Sequence, residues 1–441
     1  MHNLAIALHK KGWVVSGSDD EIFEPSRSRL QEHGLLPEKN GWDPDRIHPG
    51  IDAVILGMHA QKSNPELKKA QQLGIQVYSF PEYLYEQSQN KKRVVIGGSH
   101  GKTTITAMVM HVLNDQKMDF DYLVGSGIEG FETMVKITEE APLIIIEGDE
   151  YLSSAIDPRP KFHLYYPHVV LLSGIAWDHM NVFPTFEEYK KQFRRFLEVI
   201  TGGGKVFYYD ADPVLAEVID TSHWCLLKIP YHEHPYRVDD GRFVLKTRYG
   251  EVPLALFGKH NMQNIQGARL ICNDLGVEDH DFYDSIQTFK GAARRQQLLA
   301  NGNDRSVYLD FAHAPSKVKA TVGAFREMFG QQQLVACLEL HTYSSLNKEF
   351  IPQYRGTLDE ADLAMVYFNP AVVKHKKLPP LTPEEVKTQF GRNDLLVYND
   401  AAKLERDLKA LGEKVCVLLI MTSGNFSGID LKKLALEVVG K

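Results

Sequence analysis

The chain has 441 residues, 43% of them hydrophobic and 24% charged, and a net charge of −7. That length exceeds a single core and calls for two or three domains, while the acidic balance excludes a basic face for nucleic acid. No apolar run of about 18 residues is available to span a membrane, and four scattered cysteines (Cys225, Cys272, Cys337, Cys416) show no CxxC pair; three of them sit inside apolar runs, which suits buried free thiols in a reducing, cytoplasmic setting.

In chain order, the amphipathic stretch Leu4–Lys11 leads into Val14–Ser18, which reads as helix, turn and strand. A Rossmann-type unit normally opens with a strand and a glycine-rich turn before such a helix. The first domain, residues 1–90, is therefore expected to be Rossmann-like and truncated. Ala53–Met58 and Gln76–Phe80 supply further strands, and Pro65–Leu73 a helix. The polar stretch Glu86–Lys92 reads as a linker into a central domain, residues 91–295. That domain opens on strand Arg93–Gly97 and continues through strands Leu143–Glu147 and Val169–Ile175. Thr185 with Glu188 three residues on forms a capping box. Between Gly204 and Leu256 short alternating strands around Asp239-Asp240-Gly241 and Tyr249-Gly250 predict a small antiparallel insertion. A second Rossmann-like domain, residues 296–441, carries strands Ser306–Phe311, Leu334–Leu340, Leu363–Phe368, Leu395–Tyr398 and Val415–Met421. Nearly all-apolar strands alternating with helices predict α/β architecture with mostly parallel, doubly covered sheets.

The strongest chemical signal is Val94-Val95-Ile96-Gly97-Gly98-Ser99-His100-Gly101-Lys102-Thr103-Thr104. An apolar strand runs into a glycine-rich turn, and Lys-Thr-Thr then opens an apolar helix, Ile105–Leu113. Such a loop lets backbone N–H groups approach phosphate oxygens at a helix N-terminus. Lys102 reaches terminal phosphates in this arrangement, and the Thr103 hydroxyl is placed for Mg²⁺. Ile96 stands where the common eight-residue phosphate loop has its first glycine. Leu143–Glu147 then delivers Glu147, followed by Asp149 and Glu150, to a strand's carboxyl end. Carboxyl ends face the ligand crevice of an open parallel sheet, so Glu147 is a candidate Mg²⁺ ligand, although an acidic surface turn is the commoner meaning of such a run taken alone. Val169–Ile175 ends likewise, in Ala176-Trp177-Asp178-His179.

These residues resemble the Mur ligases, which add amino acids or peptides to UDP-N-acetylmuramate. Gly98 to Thr103 matches the family's phosphate loop, and Gly258–Asn264 resembles its Gly-x-His-Asn-x-x-Asn segment. Phe289–Arg295 resembles its arginine segment, and Asp310-Phe311-Ala312-His313-Ala314-Pro315 its Asp-Tyr-Ala-His-x-Pro turn. Order and spacing agree along essentially the whole chain. The resemblance implies an ATP- and Mg²⁺-dependent enzyme that makes an amide bond through an acyl phosphate. It assigns Gly98, Ser99, His100, Gly101, Lys102, Thr103 and Thr104 to the phosphates, with Arg295 on the γ-phosphate. It assigns Asn264 to adenine, Asp310 to ribose, and Thr103, Glu147 and His179 to metal. His313 is a candidate positioning group, and Gly17, Ser18 and Asp19 resemble the segment near the uridine. Glu147–Tyr151, the run Asp157–Pro167, Leu338-Glu339 and Met421–Ile429 are similar to the branch that joins L-alanyl-γ-D-glutamyl-meso-diaminopimelate to UDP-N-acetylmuramate. The alternatives are L-alanine addition, a phosphate-loop NTPase, and a nucleotide sensor without turnover. The family's Asn-x-Glu-x-Asp-His is replaced here by Gly174-Ile175-Ala176-Trp177-Asp178-His179.

Overall fold

A computed structural model describes residues 1–239, 242–302, 304–411 and 416–441. The chain divides into two compact units. One comprises Met1–Ile175, Lys190–Tyr231 and Leu270–Cys272, and the other Ala176–Tyr189, His232–Arg269 and Asn273–Lys441.

In the first unit, β1 (Ala53–Leu56) and β2 (Gln76–Ser79) form a parallel pair. The strands β3 (Lys92–Gly97), β4 (Asp121–Leu123), β5 (Val135–Lys136), β6 (Leu143–Glu147), β7 (Val169–Leu172), β8 (Lys205–Tyr209) and β9 (Leu227–Tyr231) form one sheet. Its order is β5-β4-β6-β3-β7-β8-β9, parallel except at β5. Val94, Val95 and Ile96 of β3 and Leu143 to Ile146 of β6 are buried, as a sheet covered on both faces requires. The chain leaves β3 in one direction and returns to β7 on its other side. The carboxyl ends of β6, β3 and β7 therefore border a topological switch point, where such sheets bind ligands.

The second unit holds an antiparallel sheet of β10 (Tyr236–Asp239), β11 (Arg242–Thr247) and β12 (Gly250–Pro253). It also holds a larger sheet of β13 (Gln297–Gly302), β14 (Arg305–Asp310), β15 (Leu334–Leu340), β16 (Leu363–Phe368), β17 (Leu396–Tyr398) and β18 (Val417–Met421). The order is β13-β14-β18-β15-β16-β17, with only β13 antiparallel to its neighbour. Every residue of β15 and β18 is buried.

Three expectations need correction. Val14–Ser18 is not a strand: among the described residues β1 pairs only with β2, and no strand pairs with this segment. Polar contacts hold it instead: Arg46 Nη1 donates to Gly17 O and Ser18 Oγ, both at 3.0 Å. The antiparallel insertion is confined to Tyr236–Pro253. Residues 205–231 are two parallel strands around a helix, Pro213–Asp220, which Asp212 caps by accepting from Val214 N and Leu215 N. The presumed linker is packed down, since the buried Arg93 guanidinium donates to Ser88 O, Gln89 O and Lys91 O. The predicted turn residues Asp240 and Gly241 and the strand residue Val415 lie outside the described residues. The Thr185–Glu188 capping box is present.

Candidate active site

The phosphate loop leaves the central strand β3 and enters the helix Lys102–Asp115. Gly98 (φ +121°) and Gly101 (φ +75°) make the turn in conformations that side chains disfavour. The loop backbone is tied to the exit of β7, because Ser99 N donates to Gly174 O (3.0 Å) and Ser173 Oγ donates to His100 O. Gly101 offers no side-chain cap, so the helix's first N–H groups receive none from it.

Lys102 Nζ donates to Gly98 O (2.7 Å) and pairs with Glu150 Oε2 (2.6 Å). Burial pulls its pKa down, but the carboxylates of Glu150 and Asp149 more than reverse this, so Lys102 is held charged. Lys161 Nζ pairs with Asp149 Oδ2 at 2.6 Å. The acidic run after β6 is thus an alternating set of charges around the loop lysine rather than a solvated turn. Thr103 Oγ1 donates to Glu147 Oε1 at 2.7 Å, and Gly125 N donates to Glu147 Oε2 at 2.6 Å.

In the second unit, Asp310 ends β14 with Oδ2 accepting from Gln296 N and Oδ1 from Ala312 N, both at 2.8 Å. The Arg295 guanidinium lies 4.5 Å from the Phe311 ring centroid. His313 hydrogen-bonds Phe311 O through Nδ1 at 2.8 Å. Burial, with Lys317 nearby, lowers its pKa to about 4 and keeps the ring neutral. Asp178 Oδ2 lies 3.6 Å from Lys317 Nζ. Burial raises the Asp178 pKa, and His179 and Lys317 outweigh it, leaving a carboxylate with a pKa of about 2. Asp178, His179 and His313 therefore share one electrostatic neighbourhood.

Asn264 is buried, its Nδ2 donating to Asn261 Oδ1 at 3.2 Å. In the first unit, Gly17 and Ser18 are held by Arg46, and Asp19 O accepts from Gly41 N at 2.8 Å. Thr103 and Glu147 fall in the first unit and His179 in the second.

Among the described residues no group of three or more His, Cys, Asp or Glu is arranged to hold a metal. Thr103 and Glu147 nevertheless fit Mg²⁺: two hard oxygen donors already lie 2.7 Å apart, and Mg²⁺ commonly takes one or two carboxylates and fills its octahedron with phosphate and water.

The Lys102–Glu150 and Lys161–Asp149 pairs, 48 and 12 residues apart, leave no local mark in the sequence. Sequence alone also leaves Leu338-Glu339 and Met421–Ile429 unconnected. Glu339 is buried at the end of β15, accepts from Thr422 Oγ1, and accepts from Phe426 N at 3.0 Å. Arg294 Nη2 donates to Gly424 O of the same loop at 2.8 Å. A lone acid in the otherwise apolar strand Leu334–Leu340 was the available signal.

A phosphate loop coupled to a strand-end carboxylate in a parallel sheet is the architecture of a nucleotide-phosphate and Mg²⁺ site. Residues 96–272 match the Mur ligase middle domain, a domain of ATP-dependent, amide-bond-forming ligases, and the chain is similar to such ligases over most of its length. Over 354 residues it is 28% identical to the UDP-N-acetylmuramate–L-alanyl-γ-D-glutamyl-meso-2,6-diaminoheptandioate ligase of Escherichia coli K12, covering 77% of this chain and 76% of that one. It is also 28% identical to the UDP-N-acetylmuramate–L-alanine ligase of Persephonella marina, covering 98% of this chain and 93% of the other. The crystal structure of a murein peptide ligase from Psychrobacter arcticus shares the fold, with a TM-score of 0.68 at 20% identity over 100% of this chain and 97% of that chain. No helix among the described residues is long and apolar enough to cross a membrane.

Proposed function

We propose that this protein joins the carboxylate of UDP-N-acetylmuramate to the amine of L-alanyl-γ-D-glutamyl-meso-diaminopimelate during peptidoglycan recycling in the cytoplasm. Residues 1–90 take the UDP-sugar, 91–295 the nucleotide phosphates, and 296–441 complete the ligase. The carrying observation is the partly buried set Lys102, Thr103, Glu147 and Glu150, which places a loop lysine beside a carboxylate suited to Mg²⁺. ATP supplies the phosphoryl group that activates the substrate carboxylate, giving an acyl phosphate and ADP. The peptide's amine then attacks the acyl carbon, and inorganic phosphate leaves.

This chain's residues neutralise and align. Lys102 and Arg295 offset charge on the transferred phosphoryl group, while Gly98, Ser99, His100, Gly101 and Thr104 line the phosphates. Thr103 and Glu147 would hold one Mg²⁺, and His179 would ligate a second. Asn264 contacts adenine and Asp310 the ribose. His313, neutral and fixed by Phe311 O, positions the reacting groups. Gly17, Ser18 and Asp19 take the UDP-sugar.

L-alanine addition is the second reading, favoured by the Persephonella marina relative that matches across 98% of this chain. Phosphate release from ATP and UDP-N-acetylmuramate, measured with the tripeptide or with L-alanine, separates the two. Stimulation by the tripeptide alone supports the proposal. Stimulation by L-alanine alone replaces it, and release independent of any amine assigns a phosphate-loop NTPase. Lys102→Ala is expected to abolish the release, and near-normal turnover in that variant overturns the site.

A further inference from the structure

Gln296 directly follows Arg295 and adopts a left-handed conformation, φ +46°. Its backbone N–H and both polar atoms of its side chain are engaged. The backbone N–H donates to Asp310 Oδ2 at 2.8 Å, and the side-chain Nε2 donates to Phe257 O at 3.1 Å. Its Oε1 accepts from Asn261 Nδ2 at 3.0 Å. Asn261 Nδ2 also donates to Phe257 O at 2.9 Å, and Asn261 Oδ1 accepts from Asn264 Nδ2 at 3.2 Å. Asn261 and Asn264 are only 4% and 3% exposed, so water does not substitute for these bonds cheaply.

Amide oxygen and nitrogen are nearly isosteric, so the direction of such a relay must be set by a group with one role. Phe257 O is that group, because a carbonyl oxygen only accepts. It turns the Gln296 and Asn261 nitrogens toward itself, which directs Gln296 Oε1 at Asn261 and Asn261 Oδ1 at Asn264. One N–H of Asn264 is thereby consumed. Its remaining N–H and its Oδ1 present a donor beside an acceptor. That edge complements the 6-amino group and N7 of adenine, and it sets oxygen against the 6-oxo group of guanine.

We propose that Gln296 is a positioning residue that, through Asn261, fixes the amide polarity of Asn264 and so selects adenine over guanine nucleotides. This rests on the reading of Asn264 as the adenine contact. By the same bonds Gln296 couples that contact to Asp310, so base and ribose recognition are set together.

Calorimetric binding of ADP, GDP and pyrophosphate to the full chain tests it. The wild type is expected to bind ADP about 10–100-fold more tightly than GDP, the discrimination typical of one bidentate amide–base pair. Gln296→Leu is expected to lower the ADP:GDP ratio about tenfold through weaker ADP binding, with pyrophosphate affinity unchanged. Asn261→Ser cuts the relay one link nearer Asn264 and must lower the ratio alike; it carries the test if Gln296→Leu does not fold. A wild-type ratio retained in the folded variants overturns the relay, as does a parallel loss of ADP, GDP and pyrophosphate. A wild type that binds ADP and GDP equally instead removes the adenine reading of Asn264 itself.

Discussion

The Thr103 hydroxyl donates a 2.7 Å hydrogen bond to Glu147 Oε1, joining the first turn of the phosphate-loop helix to the carboxyl end of β6. Gly125 N holds the other carboxylate oxygen at 2.6 Å, so Glu147 is oriented from two sides. Glu147→Gln keeps the shape but removes the charge that attracts Mg²⁺. The Mg²⁺ concentration for half-maximal phosphate release should rise at least about tenfold, the low end for losing even an outer-shell partner of a metal. An unchanged Mg²⁺ requirement removes Glu147 from the metal site.

Glu150 is buried and supplies the carboxylate nearest Lys102, 2.6 Å from its ammonium. Glu150→Gln leaves that ammonium with the Gly98 carbonyl and a neutral amide. Breaking a buried pair from one side costs about 3–5 kcal/mol, and the nucleotide-free protein should lose stability on that scale. Phosphate oxygens can replace the missing charge, so ADP should raise the variant's Tm more than it raises that of the wild type. Equal ADP-induced shifts in thermal melts would show that Lys102 does not meet the phosphates.

The phosphate loop was legible because its residues are contiguous, and Glu147 because it ends an apolar run. What escaped are relations between distant segments: Lys102 with Glu150, Gln296 with Asn261, and Glu339 with Thr422. No local pattern specifies such pairs, because tertiary packing brings them together. Val14–Ser18 failed for a related reason, since strand-forming residues become a strand only beside a hydrogen-bonding neighbour. The helix Pro213–Asp220 was signalled all the same, by Asp212-Pro213 at its start, and was passed over for the alternation around it.

Gly98 has φ +121°, and a Cβ there would lie 2.9 Å from Ser173 N as well as against Ser173 Oγ. Gly98→Ala combines a disfavoured backbone with a clash against the segment that anchors the loop. A stability loss of about 2 kcal/mol or more is expected, together with loss of ADP binding. Denaturant unfolding and calorimetry on the same preparation measure both, and a variant with wild-type ADP affinity would falsify the close packing of this loop on Ser173.

His163 is buried, stacks on Phe162 at 4.8 Å between centroids, and hydrogen-bonds Gln192 O through Nε2 at 2.8 Å. Burial lowers its pKa from 6.5 to about 4, so the folded protein holds it neutral where the unfolded chain binds a proton. The unfolded state therefore gains protons as pH falls. The stability contributed by His163 is complete above pH 6.5 and is lost progressively as pH falls toward 4. By pH 5 the loss should be about 2 kcal/mol from this residue. His163→Gln has no titrating ring and retains a donor for Gln192 O, so its Tm should fall less between pH 7.5 and pH 5. His2 and His313, both lowered to about 4, add slopes of the same sign and persist in the variant. The diagnostic is the difference between the two Tm–pH curves, which should open below pH 6.5; parallel curves across that window would mean His163 is protonated in the folded protein.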